Sequence, residues 1–137
     1  EDVIEFDELI RTLRIHAERV GFDLRTQEQR ARTIILKLRW SDFTTLTRSR
    51  TVSRPVQLTE ELAGIGYELL DELLAREPLR PVRLIGLGAT NLVEDAVQLR
   101  FDEEVAQRAA NVDRALDEIR GRYGASAVTR GTKPHVR

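Results

Sequence analysis

The chain has 137 residues, 41% of them hydrophobic and 33% charged, with a formal net charge of −1. That balance suits one folded domain with a real core and excludes a disordered polyelectrolyte. The absence of Cys excludes disulfides, thiolate metal sites and a cysteine nucleophile, and with only His16 and His135 a histidine-built zinc site is not expected.

No run approaches the roughly 18 apolar residues of a membrane span, and the opening EDVIEF lacks the regions of a secretory signal. The expectation is no membrane partner and a cytoplasmic address. Met is absent even from position 1, which leads to the expectation that the chain is a piece of a longer protein or a processed product. The near-zero net charge conceals a sorting by sign. From Arg25 to Arg54 eight cationic side chains stand against Glu28 and Asp42, and from Pro55 to Glu77 six acidic ones stand against Arg76. A polyanion responds to the local patch rather than to the sum.

In chain order, Leu9, Leu13, Ala17, Val20 and Leu24 recur every three or four residues, which predicts a helix from Asp7, its N-cap, to about Arg25. His16 borders this stripe as a packing ring. After a polar connection over 26–30, Ile34, Leu36, Leu38 and Trp40 alternate with Thr33, Ile35, Lys37 and Arg39, the pattern of a strand with one buried and one wet, basic face. Ser41 and Asp42 form a turn, and Phe43 to Val52 is a second, Thr-rich strand, giving an antiparallel hairpin that Pro55 ends. Thr59 caps the next helix, whose apolar positions are Leu62, Ile65, Leu69, Leu70, Leu73 and Leu74, and Pro78 closes it. Pro81 opens a strand over 82–92 containing Gly86 and Gly88, which inside a strand mark a bulge or a close backbone approach. Finally Val105, Ala109, Val112, Leu116, Ile119 and Tyr123 predict an amphipathic helix from Asp102 to Tyr123, ended by Gly124 and followed by a loose basic tail.

The order is helix, strand, strand, helix, strand. With EDVIEF as the end of an earlier strand, the expected fold is α+β, a four-stranded mixed sheet of βαββαβ type with two helices on one face, plus the C-terminal helix. The other face of the sheet is left to solvent or to a ligand.

GLGATN is only a fragment of a glycine-rich nucleotide loop, and its glycines lie within a strand rather than before a helix. The carboxylate pairs Glu60-Glu61, Asp71-Glu72 and Glu103-Glu104 read as solvated helix surface, and Asp42 reads as a turn residue rather than a metal ligand. No nucleophile, base and oxyanion donors converge, so this chain is expected to carry no chemistry, metal or cofactor of its own. Lys37 and Arg39, followed by Thr44, Thr45, Thr47, Arg48, Ser49, Arg50 and Thr51, instead supply cations and hydroxyl donors suited to phosphate oxygens. An ordinary wet sheet face is the plain alternative. Exposed aromatics for base stacking are missing from this reading, which favours tracking of a duplex backbone over base readout. Strict alternation puts Arg48 and Arg50 on a face with Leu46, not with the hydroxyls; either a bulge re-aims them or they project past the helices.

RTIILKLRWSDFTTLTRSRTV, the leucine-rich helix and PVRLIGLGATNL together resemble the little-finger domain of bacterial Y-family translesion DNA polymerases of the DNA polymerase IV type, over about residues 1–93. The resemblance implies a domain that grips primer–template duplex DNA beside a catalytic core of palm, fingers and thumb. The palm carboxylates and their magnesium ions would lie in that core. It implies backbone contacts from Lys37, Arg39, Thr47, Arg48, Ser49, Arg50 and Arg83. Two departures touch the last strand: the family often has a basic or polar residue where Gly88 stands, and a Gly where Asn91 stands. The first strand, which faces DNA in this family, would begin before residue 1.

Residues 94–137 would form a C-terminal extension. VQLRFDEE, residues 97–104, resembles the peptide by which such polymerases dock on the sliding clamp, with Gln98, Leu99 and Phe101 as its contacts. Its Phe comes one residue early and its second Leu is absent, and the alternative is that Leu99 and Phe101 pack the following helix onto the core. The stretch from Arg114 also resembles the C-terminal end of some of these polymerases. The leading expectation is a non-catalytic DNA-binding domain of an error-prone polymerase. A protein-interaction module, using the C-terminal helix or the 97–104 peptide for the clamp or for self-association, is the rival, and an independent enzyme of ferredoxin-like shape comes third.

Overall fold

A computed structural model describes residues 5–94 and 101–124. The elements are α1 (Phe6–Thr26), β1 (Gln29–Trp40), β2 (Thr45–Val56), α2 (Thr59–Arg76), β3 (Val82–Glu94) and α3 (Phe101–Tyr123). Among the described residues the sheet has three strands in the order β2-β1-β3, and both pairings are antiparallel. The α+β class holds, whereas the expected four-stranded mixed sheet is not confirmed: the described strands form a three-stranded antiparallel sheet. β2 turns back on β1 through the hairpin, and the crossover through α2 returns β3 to the opposite edge of β1. The two outer strands therefore run alike but never touch. Residues 1–4, the bulk of the strand end expected at EDVIEF, lie outside the described residues, and Phe6 already belongs to α1.

β1 takes the centre because its alternation offers the most apolar face. Ile34, Leu36, Leu38 and Trp40 are fully buried, joined by Val82, Ile85 and Leu87 of β3. Phe6, Leu9, Leu13 and Ala17 of α1 and Leu62, Leu69, Leu70 and Leu73 of α2 cover that face. Each buried Leu, Ile, Val or Phe among them contributes about 1.5–3 kcal/mol through burial. The helices approach closely at Gly21, where an added Cβ would stand 3.1 Å from Thr59 Oγ1 and 3.3 Å from the Gln57 carbonyl oxygen.

The helix starts differ from the expected caps. Asp7 lies in the first turn of α1, one residue after Phe6, and Thr59 is the first helical residue of α2. At α2 the work passes to Glu61, whose buried Oε1 accepts the backbone N–H groups of Leu58 (2.9 Å) and Gln57 (3.0 Å). A carboxylate accepting two N–H groups makes a stronger cap than a hydroxyl.

Pro55 does not end β2. The pairing slips there: Ala31 faces Val56, whereas Thr33 faces Thr51. An edge strand with an irregularity is where Pro is tolerated. α3 ends as expected at Gly124, with φ +47°. It packs its Val112, Ala115 and Ile119 against α2, and Arg122 pairs with Asp71.

Asn91 has φ +57°. Gly or Asn occupies that left-handed region readily, so Asn91 suits the backbone there. Its Nδ2 also donates to Thr33 Oγ1 at 2.9 Å. Asn91→Gly keeps the backbone but loses the bond to Thr33 and is expected to lower stability by about 0.5–1.5 kcal/mol, and Asn91→Val, which adds backbone strain, by about 1–3 kcal/mol more, as read by urea denaturation.

Candidate nucleic-acid interface

The side of the sheet away from the helices is built by simple alternation. β1 places Thr33, Ile35, Lys37 and Arg39 there; β2 places Thr51, Ser49, Thr47 and Thr45 opposite them in register. On the other side of β1, Thr90, Gly88, Gly86 and Leu84 of β3 complete the surface. Lys37 is exposed beside Thr47, and Arg39 is fixed by its Nε donating to Thr45 Oγ1 at 2.9 Å. Thr33 is the one buried member, tied to Thr51 Oγ1 at 3.0 Å and to Asn91. Lys37, Arg39, Thr47 and Ser49, four of the residues singled out in the sequence, thus lie on one open face.

Arg48 and Arg50 do not. They share a face with Leu46, opposite Leu36 and Ile34, and the β1/β2 register runs unbroken from Thr33 to Arg39. No bulge re-aims them. Arg50 instead forms ion pairs with both Glu68 and Glu72 of α2, and Arg48 Nη2 lies 4.0 Å from Glu72. Part of the basic run therefore faces part of the acidic run inside the chain.

Arg83 occupies the irregular step of β3, where Arg39 faces Leu84 but Trp40 faces Val82. Its guanidinium carbon lies 4.4 Å from the centre of the Phe43 ring. Phe43 is in the turn rather than in β2, with φ +71°, and is 61% exposed. Sequence reasoning missed it by assigning it to the second strand; the signal was Ser41-Asp42, which begins a turn longer than two residues.

The turn is closed by Trp40 N–H to the Thr44 carbonyl (2.9 Å), Phe43 N–H to the Trp40 carbonyl (2.9 Å) and Thr44 N–H to Asp42 Oδ1 (3.0 Å). Arg80 ties it to the segment before β3, donating to Asp42 Oδ2 at 3.1 Å while lying 4.7 Å from the centre of the buried Trp40 ring. The Thr44 backbone N–H, helped by Arg80, holds the Asp42 carboxyl below the usual carboxylate range.

Gln98 and Leu99 lie outside the described residues, and Phe101 is the first residue of α3. Among the described residues no group of three or more His, Cys, Asp or Glu side chains converges as metal ligands would. No described helix is long and apolar enough to cross a membrane.

With this geometry in place, residues 1–101 match the impB/mucB/samB family C-terminal domain. The chain belongs to that family. Among curated relatives, a DNA polymerase IV of Dehalococcoides mccartyi is 33% identical over 115 residues, covering 84% of this chain and 29% of the relative. The DNA polymerase IV of Caulobacter vibrioides is 36% identical over 118 residues, covering 83% and 28%. The chain thus spans under a third of the length of these relatives. In three dimensions it is similar to the Dbh DNA polymerase in an insertion ternary complex, with TM-score 0.59 and 17% identity over 66% of this chain and 26% of that one. DinB from Sulfolobus solfataricus gives TM-score 0.57 and 18% identity over 64% and 25%. The family match and the polymerase IV relatives agree with the resemblance to Y-family polymerases of the DNA polymerase IV type read from RTIILKLRWSDFTTLTRSRTV, the leucine-rich helix and PVRLIGLGATNL.

Two outcomes follow for this family member. A double-mutant cycle on Arg50→Ala and Glu72→Ala should return a coupling of up to about 1 kcal/mol that fades in molar salt, as expected for a partly exposed pair. In an NMR acid titration, the Asp42 carboxyl should titrate below an ordinary aspartate, because the Thr44 N–H and Arg80 favour its charged form. A depressed folded pKa makes its contribution to the turn present above the unfolded value and lost as pH falls through the folded one, and Asp42→Ala should remove that acid-side dependence.

Proposed function

We propose that this chain is the duplex-gripping, non-catalytic domain of an error-prone translesion DNA polymerase whose catalytic core lies in the rest of the parent protein. The observation that carries the reading is the open face, where Lys37 and Arg39 stand in register with Thr47 and Thr45 and the next pair adds Ser49. Cations flanked by hydroxyls along adjacent strands suit a run of phosphates, since each neutralised phosphate releases counterions and each hydroxyl donates a hydrogen bond. The polymerase IV names of the curated relatives support the same direction.

Within this proposal the roles of the arginines divide. Lys37 and Arg39 act as phosphate contacts, with Thr47 and Ser49 alongside them on the neighbouring strand. Arg48 and Arg50 act first on the fold, through Glu68 and Glu72, and reach a phosphate only from the outer edge of β2. The parent would supply palm carboxylates and magnesium, and any clamp contact would come from Gln98, Leu99 and Phe101, which competition with an isolated 97–104 peptide on a purified clamp tests. Self-association through the C-terminal helix draws less support, because Val112, Ala115 and Ile119 are already buried against α2.

The test is fluorescence anisotropy with labelled duplexes of unrelated sequence, titrated in salt. Lys37→Glu and Arg39→Glu should each weaken binding about tenfold on every sequence, and Lys37→Ala should flatten the logarithmic salt slope by about one unit. Binding that ignores salt, or loss on one sequence only, would sink the proposal.

A further inference from the structure

The hairpin tip has two features that its own packing does not explain. Phe43 adopts φ +71°, where a bulky side chain is strained and Gly or Asn would sit without cost. The usual compensation, burial of the ring, is missing, because Phe43 is 61% exposed. The turn hydrogen bonds of Trp40, Phe43 and Thr44 involve only backbone groups and Asp42, so they do not need an aromatic residue at this position.

The surroundings indicate what such a ring could serve. The Arg83 guanidinium lies against the ring, 4.4 Å from its centre. The next residue, Leu84, is 45% exposed and faces Arg39 in register, so the tip joins one end of the basic open face. A neighbouring carboxylate, Asp42, is engaged by Arg80. An exposed aromatic with a stacked guanidinium at the end of a cationic track combines the two elements that hold unpaired nucleotides, a π surface and charge for the adjoining phosphate.

We propose that Phe43, with Arg83, is a stacking platform for an unpaired nucleobase at the point where duplex passes into single strand. This inference rests on the reading of the open face as a phosphate track. An unpaired base is favoured over a base pair within a duplex because stacked pairs present only their edges in the grooves, whereas a phenyl ring needs a base face. The platform would let the domain register the junction and not only the duplex.

The experiment uses the 137-residue chain and three labelled probes: a blunt duplex, the same duplex with a short 5′ overhang, and the single strand alone. Phe43→Gly keeps the turn and relieves its strain, so its melting temperature should rise by a few degrees. The same variant should bind the overhang duplex at least about fivefold more weakly while staying within about twofold on the blunt duplex, and Phe43→Trp should retain overhang binding. 2-Aminopurine at the first unpaired position should be quenched by the wild-type chain and not by Phe43→Gly. Equal overhang binding by wild type and Phe43→Gly, equal losses on both duplexes, or no quenching would each overturn the platform. If Lys37→Glu still weakens the blunt duplex, the phosphate track stands and only the platform falls; if the wild type binds none of the probes, both fall.

Discussion

The apolar face of β1 must be hidden from water, and that constraint organises the rest of the molecule. Ile34, Leu36, Leu38 and Trp40 are fully buried beneath α1 and α2, while both edges of the same strand are hydrogen-bonded, to β2 on one side and β3 on the other. A strand alternates its side chains with a period of two, so hiding these four turns Lys37 and Arg39 outward. The basic surface is therefore a geometric consequence of the core. A slip of one residue in register would exchange the two sets, burying cations and exposing leucines, at a cost the fold could not bear.

Charge is distributed by the same geometry. The helices that cover β1 need polar outer surfaces, and α2 fills its own with acid. Where β2 carries Arg48 and Arg50 past the rim of that helix, opposite charges meet directly at Glu68 and Glu72. On the open face Lys37 and Arg39 have Thr47 and Thr45 as their partners across the β1/β2 pairing. One basic stretch is thus divided by alternation: one set of cations fastens an edge strand to a helix, and the other stands on the open face of the sheet.

The backbone positions that depart from regular geometry are also informative. Asn91 and Phe43 both occupy the left-handed region, but their side chains differ in consequence. Asn91 is a relaxed occupant that also ties β3 to Thr33. Phe43 is a strained one whose ring is left largely in solvent beside Arg83. Strain that a better-suited residue would remove, combined with exposure of an aromatic ring, gives the hairpin tip a character distinct from the rest of the sheet.

By itself the sequence determined the features with a local period. The two-residue alternation from Thr33 to Trp40 specified the strand and its two faces, and the three-to-four-residue repeats specified three helices, whereas for Arg48 and Arg50 alternation left open a bulge that only the unbroken register excludes. The match of residues 1–101 to the family domain could be anticipated from the ordered run of motifs. Tertiary structure decided what depends on residues distant in the chain. These include the antiparallel order β2-β1-β3, the engagement of Arg50 by acids 18 and 22 residues away, and the inward turn of α3 onto α2. It also decided the cap of α2, where Glu61 outcompeted Thr59, and the placing of Phe43 in a turn rather than a strand. Periodicity shows which residues share a face, because the backbone repeat imposes it. What that face meets is set by how the elements pack, and no local pattern encodes it.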